Sequence, residues 1–281
     1  MLLVADSGST KADWTFIDAD GNRTDIHSIG LNPNLHTSAE IRNVIESIAP
    51  DHIPAQKVKW VYYYGTGIWD QKRGDKVGDV LKATFGSATV EVKHDLLGAA
   101  RAACQGEPGI ACILGTGSNS CLYDGTKVID NVTNLGWLLG DEGSGVDIGK
   151  RLIRAYSYRE LPKADSDHFE ESTGQNKMSI GNGLYGPSNT NRFLASFSPF
   201  IHDNLHRPAI KQLVIDSFTE FFRRHVFKYE NASTLPLNFI GSIAHHYESI
   251  LREVCASEGL TCKTITQKPI DALVQFHRTQ H

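Results

Sequence analysis

Asp6 is followed by Ser7, Gly8, Ser9, Thr10 and Lys11, with apolar runs on both sides of the group. Glycine and small hydroxyl residues in a tight turn leave backbone N–H groups pointing outward, and such concave amide clusters bind anions. An acid at the foot of the turn suits Mg2+ held through its waters, since that ion takes few protein ligands. Gly115, Thr116, Gly117 and Ser118 repeat the arrangement later in the chain. Either turn alone reads equally well as an ordinary hairpin. As a matched pair, one of them led by Asp6, they read as two halves of a grip on a nucleotide triphosphate. Lys11 is set either to touch phosphate or to lie in solvent.

Asp95 follows a short strand-like run, Val90 to Val92, and opens a helical segment. A carboxylate there is placed to take a proton from a hydroxyl attacking a γ-phosphoryl group. Aspartate is also a favoured helix cap, and the residue type alone does not separate the two roles. His94 beside it reads as a surface or packing histidine. Asp141 and Glu142 lie in the glycine-rich bend LLGDEGSG, residues 138–145, just before a helix. The pair suits sugar hydroxyls or support of a metal, and also simple compensation of a helix dipole. Asn32 and Asn34 stand on the proline-stiffened loop GLNPN, which is equipped to hydrogen-bond a polar ligand and is also an ordinary turn. Gly241 and Ser242 fall where a strand meets a helix, and a small residue there lets an adenine ring lie against backbone. His245 and His246 lack a metal-binding spacing.

Repeated elements position these residues. Strand-like runs at 2–5, 14–17 and 26–29, the last two joined at Asp20-Gly21, precede a helix capped by Thr37 with Glu40 as its box partner. Strands and helices then alternate. From residue 110 the plan restarts, with Asp124-Gly125 as the equivalent hairpin turn. Three hairpin-linked strands followed by alternating helices and strands, written twice, predict two similar mixed α/β domains. The division falls at 1–108, with the last helix, 269–281, packing back onto it, and 109–268. Residues 160–209, rich in Ser, Asn, Gly and Pro, depart from the repeat as a lid or insert; NKMSIGNGLYGPSNTN, residues 176–191, reads as loop or lid, and Phe193, Phe197, Phe200 and Ile201 follow with helical spacing.

A chain of 281 residues suits two domains that each bury a core. The net charge of -4 gives no basic stripe for nucleic acid. No window reaches the ~18 consecutive apolar residues of a membrane span, and the start lacks the pattern of a signal peptide. Five cysteines, odd in number and without a C-x-x-C pair, read as reduced thiols of a cytoplasmic protein.

Together these segments resemble the sugar-kinase, Hsp70 and actin superfamily of ATPases. Within it they are most similar to the N-acetylglucosamine kinases and their BadF/BadG-type relatives, and LLGDEGSG is the most specific piece. The resemblance implies an α/β chain of two ribonuclease H-like domains, the actin-like ATPase fold, flanking a nucleotide and sugar cleft. It implies ATP and Mg2+ as cofactors and phosphorylation of an amino sugar, N-acetylglucosamine above all, at the 6-hydroxyl. By the same resemblance Asp6 serves the metal, Thr10 and Thr116 contact the nucleotide, and Gly241-Ser242 belongs to an adenosine motif. Asp95 matches the catalytic base. Asn34, with Asn32 as the alternative, Asn134, Leu135, Gly136 and Asp141 fall on sugar-contacting positions. Relatives also suggest a homodimer.

The chain departs from the family pattern at two places. The family often has Gly-Trp-Gly where Asn134-Leu135-Gly136 stands, with Trp137 displaced by two positions, so N-acetylmuramate and glucosamine stay open as substrates. HDNLH, residues 202–206, replaces a segment that carries Gly-Asp near the nucleotide in relatives, and no adenine contact is assigned from it. An alternative function is a BadF/BadG-type ATPase that activates a partner enzyme. Those relatives hold an iron–sulfur cluster shared between subunits, which the scattered cysteines do not obviously supply. A sugar-sensing regulator would add a helix-turn-helix, whereas Met1 begins the first strand.

Overall fold

A computed structural model describes residues 1–8, 11–49, 53–186 and 189–280. The chain divides into two compact units, Met1–Gly106 with Pro269–His281, and Glu107–Lys268.

In the first unit β1 (Leu2–Ser7), β2 (Lys11–Ile17) and β3 (Arg23–Ile29) form an antiparallel meander. The chain continues through α1 (Ser38–Ile48), β4 (Trp60–Gly65), α2 (Gln71–Phe85), β5 (Thr89–His94) and α3 (Asp95–Cys104). β4 joins β1 and β5 joins β4, both parallel, in the order β3-β2-β1-β4-β5. Central β1 is apolar from Leu2 to Ala5, as a strand covered on both faces must be. Successive side chains alternate between the faces. Leu3 and Ala5 join Ile41, Ile45, Val77 and Leu81 of α1 and α2 in one core. Val4 and Asp6, in register with Tyr62 and Tyr64 of β4, point to the other face, where α3 packs. The Thr37–Glu40 capping box is present, and such a cap is worth about 1 kcal/mol.

The second unit repeats this plan. β6 (Gly109–Leu114), β7 (Ser118–Tyr123) and β8 (Val128–Asp130) form the meander. Then come α4 (Gly136–Leu139), α5 (Gly145–Ser157), α6 (Lys163–Thr173), α7 (Lys177–Tyr185), α8 (Thr190–Ala195), α9 (Ser198–Asp203) and α10 (Pro208–Arg224). β9 (Pro236–Ile240), α11 (Ser242–His246), α12 (Glu248–Ser257) and β10 (Thr261–Thr266) complete the sheet, ordered β10-β9-β6-β7-β8. Strand for strand, this is the first sheet again.

The loop expected over 176–191 is corrected, because α7 occupies most of it; α6 precedes it, and the helical spacing from Phe193 to Ile201 belongs to α8 and α9. Asn176 caps α7 by accepting from the N–H groups of Met178 and Ser179. Phe169, Phe197 and Ile201 anchor the segment in the core. Caps and aromatic anchors outweigh the low helix propensity of its glycines and serines, which composition alone reports. Pro187 and Ser188 lie outside the described residues. Tyr247 lies where two helices, α11 and α12, meet.

A last helix, α13 (Pro269–Arg278), belongs to the first unit. His277 Nε2 lies 2.8 Å from the Tyr64 hydroxyl, and its ring stacks on Tyr62 with centroids 3.5 Å apart. Arg101 of α3 donates to the same hydroxyl at 2.6 Å and pairs with Glu91. Gln105 donates to the Ala272 carbonyl at 3.0 Å. Burial pushes the Tyr64 hydroxyl well above its ordinary pKa. All five cysteines are free thiols, and among the described residues no helix is long and apolar enough to cross a membrane.

Candidate functional site

In the first unit Asp6 occupies the end of β1, directly opposite Asp13 of β2. Like charges facing one another across an antiparallel pair repel. Asp95, the first residue of α3, adds a third negative charge on the face that Asp6 points to. Burial, then Asp95, then Asp13 push the Asp6 carboxyl up to about 7, against a small opposing pull from Lys11. No hydrogen bond to the Asp6 side chain occurs among the described residues. Hard oxygen donors crowded this way fit a hydrated Mg2+, which relieves the repulsion. Among the described residues no three His, Cys, Asp or Glu side chains form a metal-binding group, so any Mg2+ there relies mostly on its waters.

Ser7 departs from its expected phosphate role. It is fully buried, and its hydroxyl accepts the Leu31 N–H at 2.9 Å, fixing the loop after β3. The Gly8 N–H closes the turn onto the Lys11 carbonyl at 3.0 Å. Lys11 is exposed and lies 3.6 Å from Asp13. Ser9 and Thr10, the centre of the predicted grip, lie outside the described residues.

Asp95 is not the helix cap. His94 is: its Nδ1 accepts the Leu96 N–H at 3.0 Å, which leaves Asp95 one position inside α3. His94 Nδ1 also lies 2.9 Å from Asp95 Oδ1. Asn34 has its amide nitrogen on Asn32 Oδ1 and the Gly67 carbonyl, both at 3.0 Å, and its oxygen accepts from Arg73 at 2.5 Å. The amide nitrogen of Asn32 makes no hydrogen bond among the described residues, so Asn32 rather than Asn34 has a donor to offer. Gly67, at φ +77°, packs so close that a Cβ would lie 2.4 Å from Asn32 Oδ1. Sequence reasoning missed Trp69, which is 68% exposed and tilted against the His94 ring at 4.9 Å, next to Asp95. A lone tryptophan after a turn carries no periodic signal.

In the second unit the Gly115 N–H closes the turn onto the Gly117 carbonyl at 3.0 Å. The Gly115 and Thr116 carbonyls accept the first two N–H groups of α5, at 2.9 and 3.1 Å. That leaves the amides of Thr116 and Gly117 without partners among the described residues, the outward donors expected of an anion-binding turn. Ser118 is buried, and its N–H donates to Asp141 Oδ1 at 3.1 Å. Asn134 donates to the same oxygen at 3.0 Å and accepts the Gly136 N–H at 2.5 Å. Asp141 sits at φ +62°, a conformation that aspartate tolerates better than most residues. Glu142 points elsewhere, to His225 at 3.2 Å and Arg224 at 3.5 Å. The adjacent acids therefore do separate work, and the acid in the first turn of α5 is Asp147. Leu135 is exposed.

Gly241 binds the motif after β9 to the second turn. At φ +123°, a Cβ there would lie 2.3 Å from the Leu114 carbonyl oxygen. Beside it opens a cavity of about 520 Å³ that gathers Gly115, Thr116, Ser242 and Ile243 with His202 and Asp203. Thus HDNLH, from which no contact was expected, supplies two lining residues, and His246 a third. Their signal was hidden because HDNLH lacks the Gly-Asp pair that the family resemblance looked for there.

No protein-family model matches the chain, and no curated protein matches it. Among solved structures, the putative N-acetylglucosamine kinase from Porphyromonas gingivalis is similar over 100% of both chains, with 39% sequence identity and a TM-score of 0.91. The chain belongs to the sugar-kinase family with the actin-like ATPase fold. Two further structures share the fold at lower identity. The putative N-acetylglucosamine kinase from Chromobacterium violaceum has a TM-score of 0.74 at 15% identity over 98% of both chains. The ROK hexokinase from Thermus thermophilus has a TM-score of 0.55 at 13% identity, covering 100% of this chain and 99% of its own.

Proposed function

We propose that the protein is an ATP-dependent sugar kinase that phosphorylates an amino sugar, N-acetylglucosamine, at its 6-hydroxyl in the cytoplasm. The second unit binds ATP: the cavity beside Ser242 and Ile243 takes the nucleoside, and the free amides of Thr116 and Gly117 take phosphate oxygens. The first unit binds the sugar, with the Asn32 amide donating to a ring hydroxyl or the acetamido oxygen and Trp69 stacking on the apolar sugar face. Asp95 accepts the proton of the 6-hydroxyl as its oxygen attacks the γ-phosphorus, and ADP leaves. Mg2+ held near Asp6 through water supplies positive charge to the phosphate oxygens when bound. The turn amides act on the same developing charge. Asp141 orders the second turn through Ser118 while keeping its other oxygen for a hydroxyl.

The observation that carries this reading is the meeting of Asp6 and Asp95 at one end of the first sheet, a metal-suited acid beside a base-suited acid. Family membership supports it. The test is ADP release with MgATP and a panel of amino sugars, coupled to identification of the phosphorylated product. Asp95→Asn is expected to lose roughly 10²–10⁴ in kcat, the usual contribution of a general base, with nucleotide binding unchanged. Full turnover by that variant would reduce Asp95 to a helix residue.

A further inference from the structure

Arg73 stands in the first turn of α2, whose cap is Asp70: Asp70 Oδ1 accepts the Arg73 N–H at 3.0 Å. The guanidinium then reaches two segments at once. Its Nη1 donates to Asp70 Oδ2, and its Nε donates to Asn34 Oδ1 at 2.5 Å. A half-exposed ion pair three residues apart on a helix is ordinarily worth little. The second bond sets this one apart, because it ties α2 to the loop after β3, 39 residues earlier.

The character of each partner fixes how the two asparagines are turned. Arginine only donates, so the Asn34 atom facing it is the oxygen. The Gly67 carbonyl only accepts, so the atom 3.0 Å from it is the Asn34 amide nitrogen. That nitrogen and the Asn34 backbone N–H both donate to Asn32 Oδ1, at 3.0 and 2.9 Å. Both lone pairs of the Asn32 oxygen are thereby engaged, and its NH2 is the end left for a ligand. Lys76, three residues further along α2, holds the same loop by donating to the Pro33 carbonyl at 2.8 Å.

Trp69 immediately precedes Asp70 and is exposed. One planar guanidinium therefore joins the loop that offers the Asn32 amide to the turn that offers the Trp69 indole. A lysine ammonium is a point charge on a flexible stem and does not reproduce such a fork.

We propose that Arg73 is a positioning residue for the sugar: it holds the Asn32 loop in register with the Trp69 turn, so that the amide donor and the aromatic face meet the same sugar ring. The role rests on the kinase reading; without a sugar bound there, Arg73 only braces the start of a helix.

Steady-state kinetics with MgATP and the amino sugars that wild type phosphorylates test it. Arg73→Met is expected to raise KM for the sugar about tenfold, the equivalent of one charge-assisted hydrogen bond, with kcat and KM for ATP little changed. Arg73→Lys should recover only part of the loss. Added to Trp69→Ala with Asn32→Ala, Arg73→Met should cost little more, because the groups through which it acts are gone. A sugar KM in Arg73→Met equal to that of wild type overturns the proposal, as does full recovery by Arg73→Lys or an undiminished loss in the triple variant. A fall in kcat and thermal stability with the sugar KM unmoved marks a merely structural arginine and overturns it too. Wild type that phosphorylates no amino sugar removes the kinase reading and this role with it, whereas active wild type with an unmoved sugar KM in Arg73→Met removes this role alone.

Discussion

Replacing Asp6 with asparagine removes the charge that the first unit holds least comfortably. Its carboxyl is pushed from the ordinary 3.8 up to about 7 by burial and by the neighbouring Asp95 and Asp13. At 1.36 kcal/mol per pH unit, ionising Asp6 in the folded protein costs about 4 kcal/mol relative to the unfolded chain. Below pH 3.8 both states hold the proton and the penalty vanishes. As pH rises, the unfolded chain releases the proton first, so stability falls until the folded carboxyl also ionises near 7 and is level beyond. Asparagine cannot ionise and escapes this loss. Urea unfolding of both proteins in metal-free buffer, stepped from about pH 4.5 to about pH 8.5, should therefore show Asp6→Asn gaining several kcal/mol on wild type as pH rises. Carboxyl-carbon NMR locates the Asp6 titration directly. Mg2+ should restore stability to wild type at the alkaline end and do nothing for the variant. Stability profiles that run parallel across the whole range would refute the reasoning, because Asp6 would then ionise like any exposed carboxylate.

Other substitutions probe the remaining parts. Gly241→Ala places a Cβ 2.3 Å from the Leu114 carbonyl oxygen; a loss of about 2–4 kcal/mol in urea unfolding is expected, as for overpacking with a disfavoured backbone angle, with weaker ATP binding by calorimetry. Arg101→Leu leaves Glu91 without its partner and the Tyr64 hydroxyl without its cationic donor; breaking such a pair should destabilise by about 3 kcal/mol and raise proteolysis of the C-terminal helix. Trp69→Ala should raise KM for the sugar about tenfold with kcat little changed, the mark of lost uniform binding. Normal KM would exclude the indole as a sugar platform.

The sequence displayed the repeat plainly because its punctuation is local. Asp20-Gly21, Asp124-Gly125 and the Thr37–Glu40 box each act within a few residues, and the structure has turns and a cap at those places. The glycine turns were visible for the same reason. What stayed hidden depends on partners distant in the chain. Nothing at Ser7 announces that its hydroxyl will be taken by Leu31, and nothing at Glu142 announces His225. Asn34 and Asn32 look alike in sequence; only the approach of Gly67 and Arg73 decides which amide is already engaged. His94 and Asp95 are neighbours, so a shift of one residue in the helix start exchanged cap and candidate base. α7 was missed because the Asn176 cap and the burial of Ile180 in the core outweighed a composition rich in glycine and serine.

On the ribosome, the discontinuity of the first unit becomes a delay. The stretch from Glu107 to Lys268 emerges as one uninterrupted run, whereas the sheet begun at Leu2 lacks α13 until that whole run has been made. At a translation rate of about 5–20 residues per second, that wait lasts roughly ten to thirty seconds. During it the ring of Tyr62 lacks His277 to stack on, and the nascent sheet carries an aromatic surface that α13 later covers.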